Sequence, residues 1–317
     1  MQYKKIARIA LRFLIINIAV LILTFPVIAI WGPFDNIRNS VVGAVATSRH
    51  HSWIEAVLSK EEIAKTLTAP KATKITLKLP SFSNLHSGSV KLTRISGDRF
   101  KGYLLEVSDP TRLKVGVSNE MGTKGQKTSE IAKASNAIAA INAGGFNDPA
   151  GQGTGGIPYG VVIHNGVFLA GENLKGKVSL VGFNRSGSLV VGNYTVSEMK
   201  NMRITEGVSF APPLILNGKK QISGDGGWGI APRTAIGQRK DGTVLLLVID
   251  GRQPPTSIGA TMLDVQNILY DNGAYTAGNL DGGSSATMYY NGKVVNNPGS
   301  LMGIMGERDI PTVFFVR

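Results

Sequence analysis

Apolar positions are spread unevenly along the chain. From Phe13 to Trp31 they form a nearly continuous run, broken only by Asn17, Thr24 and Pro26. A helix over that run is long enough to cross a hydrocarbon core of roughly 30 Å. Lys4, Lys5, Arg8 and Arg12 precede it. That asymmetry predicts a cytoplasmic N-terminus and an extracellular body, with Trp31 at the outer interface. A cleaved signal peptide is the competing reading, but its apolar core would be shorter and a small-residue site would follow closely. Ala44-Val45-Ala46 has suitable residues but lies well past the run. The expectation is a single-pass signal anchor over residues 1–31.

Residues 32–87 read as a stalk. Within it, "SWIEAVLSKEEIAKTL" has helical periodicity, with Ser52 and Glu55 spaced as a capping box. Pro70 follows, and then an extended Thr/Lys-rich piece, "KATKITLKLPSF".

From about Val90 the pattern changes to short β-like runs separated by turn dipeptides. His164-Asn165-Gly166, Asn217-Gly218, Asp241-Gly242 and Asn291-Gly292 are hairpin signals, because those residues supply positive φ. Two segments read as helices, "KGQKTSEIAKASNAIA" and "TMLDVQNILYDNG". The second places Met262, Val265, Ile268 and Leu269 on one face. The fold class predicted for residues 88–317 is α+β: mixed or largely antiparallel sheets with a few flanking helices.

Composition narrows the chemistry. The chain has no cysteine, which excludes disulfides, thiolate metal sites and a cysteine nucleophile. Its net charge is +13. The basic residues are scattered and fit no nucleic-acid-binding motif, so the charge suits an anionic envelope or a generally basic solvated surface. No nucleic-acid partner is expected, and oligomeric state is not legible.

Polar groups collect at five strand ends. They are Asn142 to Asp148 in "INAGGFND", Arg233 and Thr234 in "APRTAIG", Asp250 and Arg252 in "VIDGR", Asp281 to Ser285 in "NLDGGSS", and Glu307 to Asp309 in "GERDIP". Each alone is explained by turn chemistry. Together they suggest an anion site beside carboxylates. Arg233 and Arg252 flank one predicted hairpin and match phosphate geometry. Consecutive N–H groups of Gly282, Gly283, Ser284 and Ser285 would form a nest. Asp281 and Asp250 are the candidate nucleophile or base, and Glu307 is a weaker acid/base candidate.

Other chemistries fit less well. A serine hydrolase would need a base near Ser284 or Ser285, and His164 reads as turn decoration. No G-x-S-x-G elbow, H-E-x-x-H helix or phosphate-binding Gly-Lys-Ser/Thr loop occurs. No metal or cofactor is assigned; a divalent cation held by Asp250 and Asp281 has weak support. The alternative of another class is a non-catalytic surface protein that binds or exports polysaccharide.

The ordered segments "NAGGFND", "YGVVIHNG", "PRTAIGQRKDGTVLLLVIDGR", "GATMLDVQNIL" and "NLDGGSSATMYYNGKVVNNP" resemble the phosphodiester glycosidase family over roughly residues 88–317. The resemblance implies hydrolysis of a sugar-1-phosphodiester, such as an N-acetylglucosamine-1-phosphodiester, in an envelope glycopolymer or exopolysaccharide. The positions it implies are Asn142, Gly144, Gly145 and Phe146; Arg233 and Thr234; Asp250, Gly251 and Arg252; and Asp281 through Ser285. The chain differs from animal members in lacking their cysteines. It has Ser284 where many relatives have a third glycine, and these differences bear on substrate more than on reaction class.

Overall fold

The computed structural model describes residues 2–33, 38, 42, 51–67, 88–148, 154–299 and 306–317. The N-terminal run is one helix, α1 (Gln2–Trp31), and its stretch Leu11–Ile28 is long and apolar enough to cross a membrane. Asn17 Nδ2 and Thr24 Oγ1 donate back to the carbonyls of Phe13 and Val20 at 2.7 and 2.8 Å. This satisfies both polar side chains within the helix.

The stalk helix departs from expectation. Two short helices form instead of one, α2 (His51–Glu55) and α3 (Lys60–Leu67). Ser59 provides the reason: its N–H and hydroxyl both donate to Glu62 Oε2, and its Oγ accepts from Glu62 N–H. That capping box starts a new helix at Lys60. Ile54, Leu58 and Ile63 pack with Ile30 and Val42. The predicted extended piece lies outside the described residues.

The body is built from three sheets. The first has the order β1 (Val90–Ser96), β2 (Lys101–Val107), β13 (Val244–Ile249), β12 (Arg233–Arg239), β14 (Ala274–Leu280), β10 (Pro213–Leu216), β11 (Lys219–Lys220). The second runs β16 (Lys293–Val294), β15 (Met288–Tyr290), β4 (Ala139–Asn142), β17 (Thr312–Val316), β3 (Leu113–Val117). The third runs β6 (Val167–Ala170), β5 (Val162–His164), β9 (Ile204–Val208), β7 (Val178–Asn184), β8 (Leu189–Tyr194). All the ladders between these strands are antiparallel.

One face of each sheet meets a shared core. Ile236, Leu246 and Val248 come from the first sheet, Ile141, Met288 and Phe314 from the second, and Val162, Phe183 and Val208 from the third. The opposite faces are covered by helices. Leu245, Leu247 and Ile249 lie under Val265 and Leu269 of α6 (Met262–Asp271). Ile131 of α4 (Thr128–Ala134) covers Ala140, Val313 and Phe315. Met199 of α5 (Val196–Asn201) covers Ile163 and Leu180. The unbroken apolar run "VLLLVI" follows from this layering, because β13 is buried on both faces.

All four predicted hairpins form. At Asn165-Gly166, Asn217-Gly218 and Asn291-Gly292 both turn residues have positive φ. At the fourth, Asp241 Oδ1 accepts from Thr243 N–H and Gly242 has φ +95°. Register then places the polar strand ends together. Arg233 lies opposite Ile249, and Thr234 lies opposite Leu280. The end of β13, the start of β12 and the end of β14 therefore share one edge of the first sheet.

Candidate active site

Pro232 is the pivot of that edge. A Cβ on Gly251 would stand 2.8 Å from Pro232 N, and one on Gly282 would stand 2.7 Å from Pro232 O. The glycines after Asp250 and Asp281 thus let three strand ends close backbone against backbone. Gly283, at φ +59°, continues the turn and donates its N–H to Pro232 O at 2.9 Å.

The second sheet meets this edge through Asn142. Asn142 is fully buried; its Oδ1 accepts from Thr234 Oγ1 at 2.8 Å and from Thr287 N–H at 3.0 Å, and its Nδ2 donates to the Asp281 carbonyl. The Asp281 N–H in turn donates to Ala143 O at 2.9 Å. Asn142 and Thr234 therefore spend their polar atoms holding Asp281 in place. A Cβ on Gly144 or Gly145 would crowd Val208 or the Phe210 ring at 3.0–3.1 Å, so those side chains would have to shift slightly.

Asp281 keeps partial solvent contact as a residue, but its Oδ2 atom is buried without a hydrogen-bond partner. Burial pushes its carboxyl up to about 6. The Ser285 hydroxyl, the Arg308 guanidinium and the Gly282 amide oppose that rise, and Asp148 adds to it. Ser285 Oγ lies close enough to favour the ionised carboxyl, yet makes no hydrogen bond of ordinary geometry.

The sequence placed Arg308 at a polar strand end but gave it no role. Its guanidinium pairs with Asp148 and sits 4.7 Å above the Phe146 ring. Glu307, its neighbour, goes elsewhere. Both of its oxygens are engaged at the start of α4, by Ser129 N–H at 2.9 Å and Ser129 Oγ at 2.6 Å. The two neighbouring charges therefore point to different places, and of the pair Arg308 is the one that acts on Asp281. The acidic residue there is Asp148, from the "GGFND" segment.

Arg233 is buried and uses Nε for Ala260 O and Nη2 for the carbonyls of Trp228 and Gly229. Burial and the nearby Arg252 charge lower its pKa to about 10, with Asp264 opposing, so it stays protonated at neutral pH. Arg252 adopts φ +57°, a costly conformation for a residue with a side chain. Its guanidinium nitrogens lie 3.6 and 3.9 Å from where a Gly283 Cβ would stand.

Asp250 is also buried, and burial raises its pKa against two hydrogen bonds. Asn296 Nδ2 and Asn297 N–H both donate to its Oδ1, at 2.9 and 3.0 Å. One carboxylate oxygen thus anchors the segment after β16. The expected nest is altered: the N–H groups of Gly283, Ser285 and Ala286 are taken by Pro232, Gly282 and Gly283 carbonyls. The 3₁₀ turn Gly283–Ser285 thus uses two of the four amides expected in the nest, those of Gly283 and Ser285. His164 Nδ1 lies 3.2 Å from Oε2 of buried Glu206. Among the described residues no group of three or more His, Asp or Glu is placed to hold a metal ion.

Antiparallel sheets here bring carboxylates and arginines to converging strand ends of a β-rich body. Residues 135–317 match the phosphodiester glycosidase family (NAGPA), and the chain belongs to that family. The Bacillus subtilis SPbeta prophage-derived uncharacterized protein YomE is 29% identical over 200 residues, covering 60% of this chain and 29% of that protein. The chain thus spans under a third of that relative's length. Among solved structures, the fold resembles the catalytic domain of zebrafish N-acetylglucosamine-1-phosphodiester alpha-N-acetylglucosaminidase, auto-inhibited by its pro-peptide. That likeness has a TM-score of 0.62 and 23% identity, covering 76% of this chain and 87% of that one. A putative exported protein from Burkholderia pseudomallei shares the fold at a TM-score of 0.52 and 17% identity, over 68% of this chain and 74% of that one. Family membership points to a glycosidase-type hydrolase.

Proposed function

We propose that this protein hydrolyses a sugar-1-phosphodiester outside the cytoplasm, releasing the sugar and leaving a phosphomonoester. The observation that carries the reading is the Asp281 carboxyl: buried at Oδ2 without a hydrogen bond of ordinary geometry there, and raised to about 6 although Arg308 favours its ionised form. An enzyme leaves such a group uncompensated where it needs a reactive carboxylate near neutral pH.

In the proposed reaction, Arg252 and Nη1 of Arg233 hold the phosphodiester, with Ser284 as a further donor. The bond between C1 and the phosphate oxygen breaks, and its electron pair leaves with the phosphate. The arginines stabilise the charge that develops there. A phosphate leaves without a proton, so a strong general acid is unnecessary and ionised Asp281 serves as nucleophile or base at C1. Water supplies hydroxyl to C1, and its remaining proton passes to solvent. Asp250 is the second carboxylate, fixed through Oδ1. Arg308 and Asp148 set the electrostatics around Asp281.

An N-acetylglucosamine-1-phosphodiester is the proposed substrate, because the zebrafish relative's name specifies that linkage. In the cell it would sit in an envelope glycopolymer or exopolysaccharide, reached by a body tethered through α1 as an anchor. The test is sugar release from a model N-acetylglucosamine-1-phosphodiester by wild type and Asp281→Asn, with and without chelator. Turnover by wild type that the variant loses supports the assignment; equal turnover by both refutes it.

A further inference from the structure

Away from the catalytic end, the outer strands of two sheets face one another across a cavity of about 560 Å³. One wall is the β1–β2 hairpin, with Leu92, Arg94 and Tyr103; the other is the β15–β16 hairpin, with Tyr290, Lys293 and Val294. This volume falls within the range of sites that hold small organic ligands.

The lining has a definite chemistry. Tyr103 and Tyr290 are half-buried and pack inward on the central core, which fixes their rings in the groove walls. Fixed aromatic faces present flat apolar area at low entropic cost. Arg94 and Lys293 are exposed, and neither forms an ion pair among the described residues. Among the described residues no acidic side chain lines the cavity. Basic residues on edge strands discourage strand pairing, which accounts for lysines there. That role explains neither the paired tyrosines nor the cavity between them.

The groove also runs toward the catalytic end. Val295 lines it, and the next two residues are Asn296 and Asn297, which donate to Asp250. Tyr103 lies opposite Val248, two residues before Asp250.

We infer that this groove is a second binding site, for a phosphodiester-linked glycan chain. The tyrosines stack on sugar faces, and Arg94 and Lys293 pair with backbone phosphates. Such a site would hold a polymer while a terminal or internal unit occupies the catalytic end. The choice of ligand rests on the proposed function; the groove and its charge do not.

The test measures binding in the Asp281→Asn protein, so that the probe is not consumed. The probes are a poly(glycosyl phosphate) oligomer, a single-unit sugar-1-phosphodiester and uncharged dextran. Adding Arg94→Glu and Lys293→Glu, both at exposed positions, should weaken oligomer affinity about tenfold at low salt. Affinity for the single unit and for dextran should change by less than about twofold. Unchanged oligomer affinity overturns the proposal, as does an equal loss for the single unit. Because no turnover is read, a selective loss of oligomer affinity upholds the groove even if wild-type protein fails to hydrolyse the single unit.

Discussion

At the scale of single residues, Asp281 has a measurable cost. Its carboxyl sits near 6 in the folded protein, above its ordinary 3.8. Between those two values the folded state holds more protons than the unfolded chain, so stability falls as pH rises through that window. Asp281→Asn removes the charge and should raise stability at neutral pH by on the order of 1–3 kcal/mol. The gain should vanish below about pH 4, where both forms are neutral. Thermal unfolding of wild type and variant across pH reads this directly; a destabilised variant at neutral pH would contradict the burial argument. The same carboxyl should set the acidic limb of kcat/KM near pH 6, with activity rising as it ionises. Arg308 favours the ionised form, so Arg308→Gln should move that limb to higher pH. A limb that stays in place would show that the guanidinium does not act on the reacting group.

At the scale of elements, the site depends on Asn142, which joins the end of β4 to β12 and β14. Asn142→Ala would leave the Thr234 hydroxyl and the Thr287 N–H buried without a partner. The expected cost is about 2–4 kcal/mol in urea unfolding, since unmade buried hydrogen bonds are expensive. A loss of less than about 1 kcal/mol would mean the segment relaxes without it. Much of this level was readable in advance. The Asn-Gly and Asp-Gly turns located four hairpins, because positive φ at adjacent positions has few solutions. The α6 helix announced itself through its apolar face, and Thr261 with Asp264 caps it. Other elements were not legible. The Ser59–Glu62 box that splits the stalk helix competed with an equally good pattern at Ser52. The six-residue α5 is shorter than any reliable period, and only Thr195 and Glu198 mark it. Arg308 was legible only as part of a polar strand end, because local sequence cannot say which of two adjacent charges faces inward.

At the scale of the molecule, what the sequence hid was long-range pairing. Nothing local says that β2 pairs with β13, or β4 with β17, across more than a hundred residues. The β12–β13 and β12–β14 ladders bring "PRTAIG", "VIDGR" and "NLDGGSS" to one end of the first sheet, and Asn142 ties "NAGGFND" to it. We propose that the chain divides into an anchor, a stalk and a body. Among the described residues, Ile30, Val42, Ile54, Leu58 and Ile63 cluster together, while the cores of the three sheets draw on residues from Val90 onward. A chain starting at Gly88 is therefore expected to unfold in one cooperative transition with the melting temperature of the longer protein; a large drop would show that the stalk completes the body.

The central claim is that the bond between C1 and oxygen breaks, and that Asp281 acts at that carbon. Hydrolysis of a model sugar-1-phosphodiester in water enriched in heavy oxygen tests it most directly, with mass spectrometry of both products. The account predicts label in the anomeric hydroxyl of the released sugar and none in the phosphomonoester. Label in the phosphate would mean attack at phosphorus, and would contradict it.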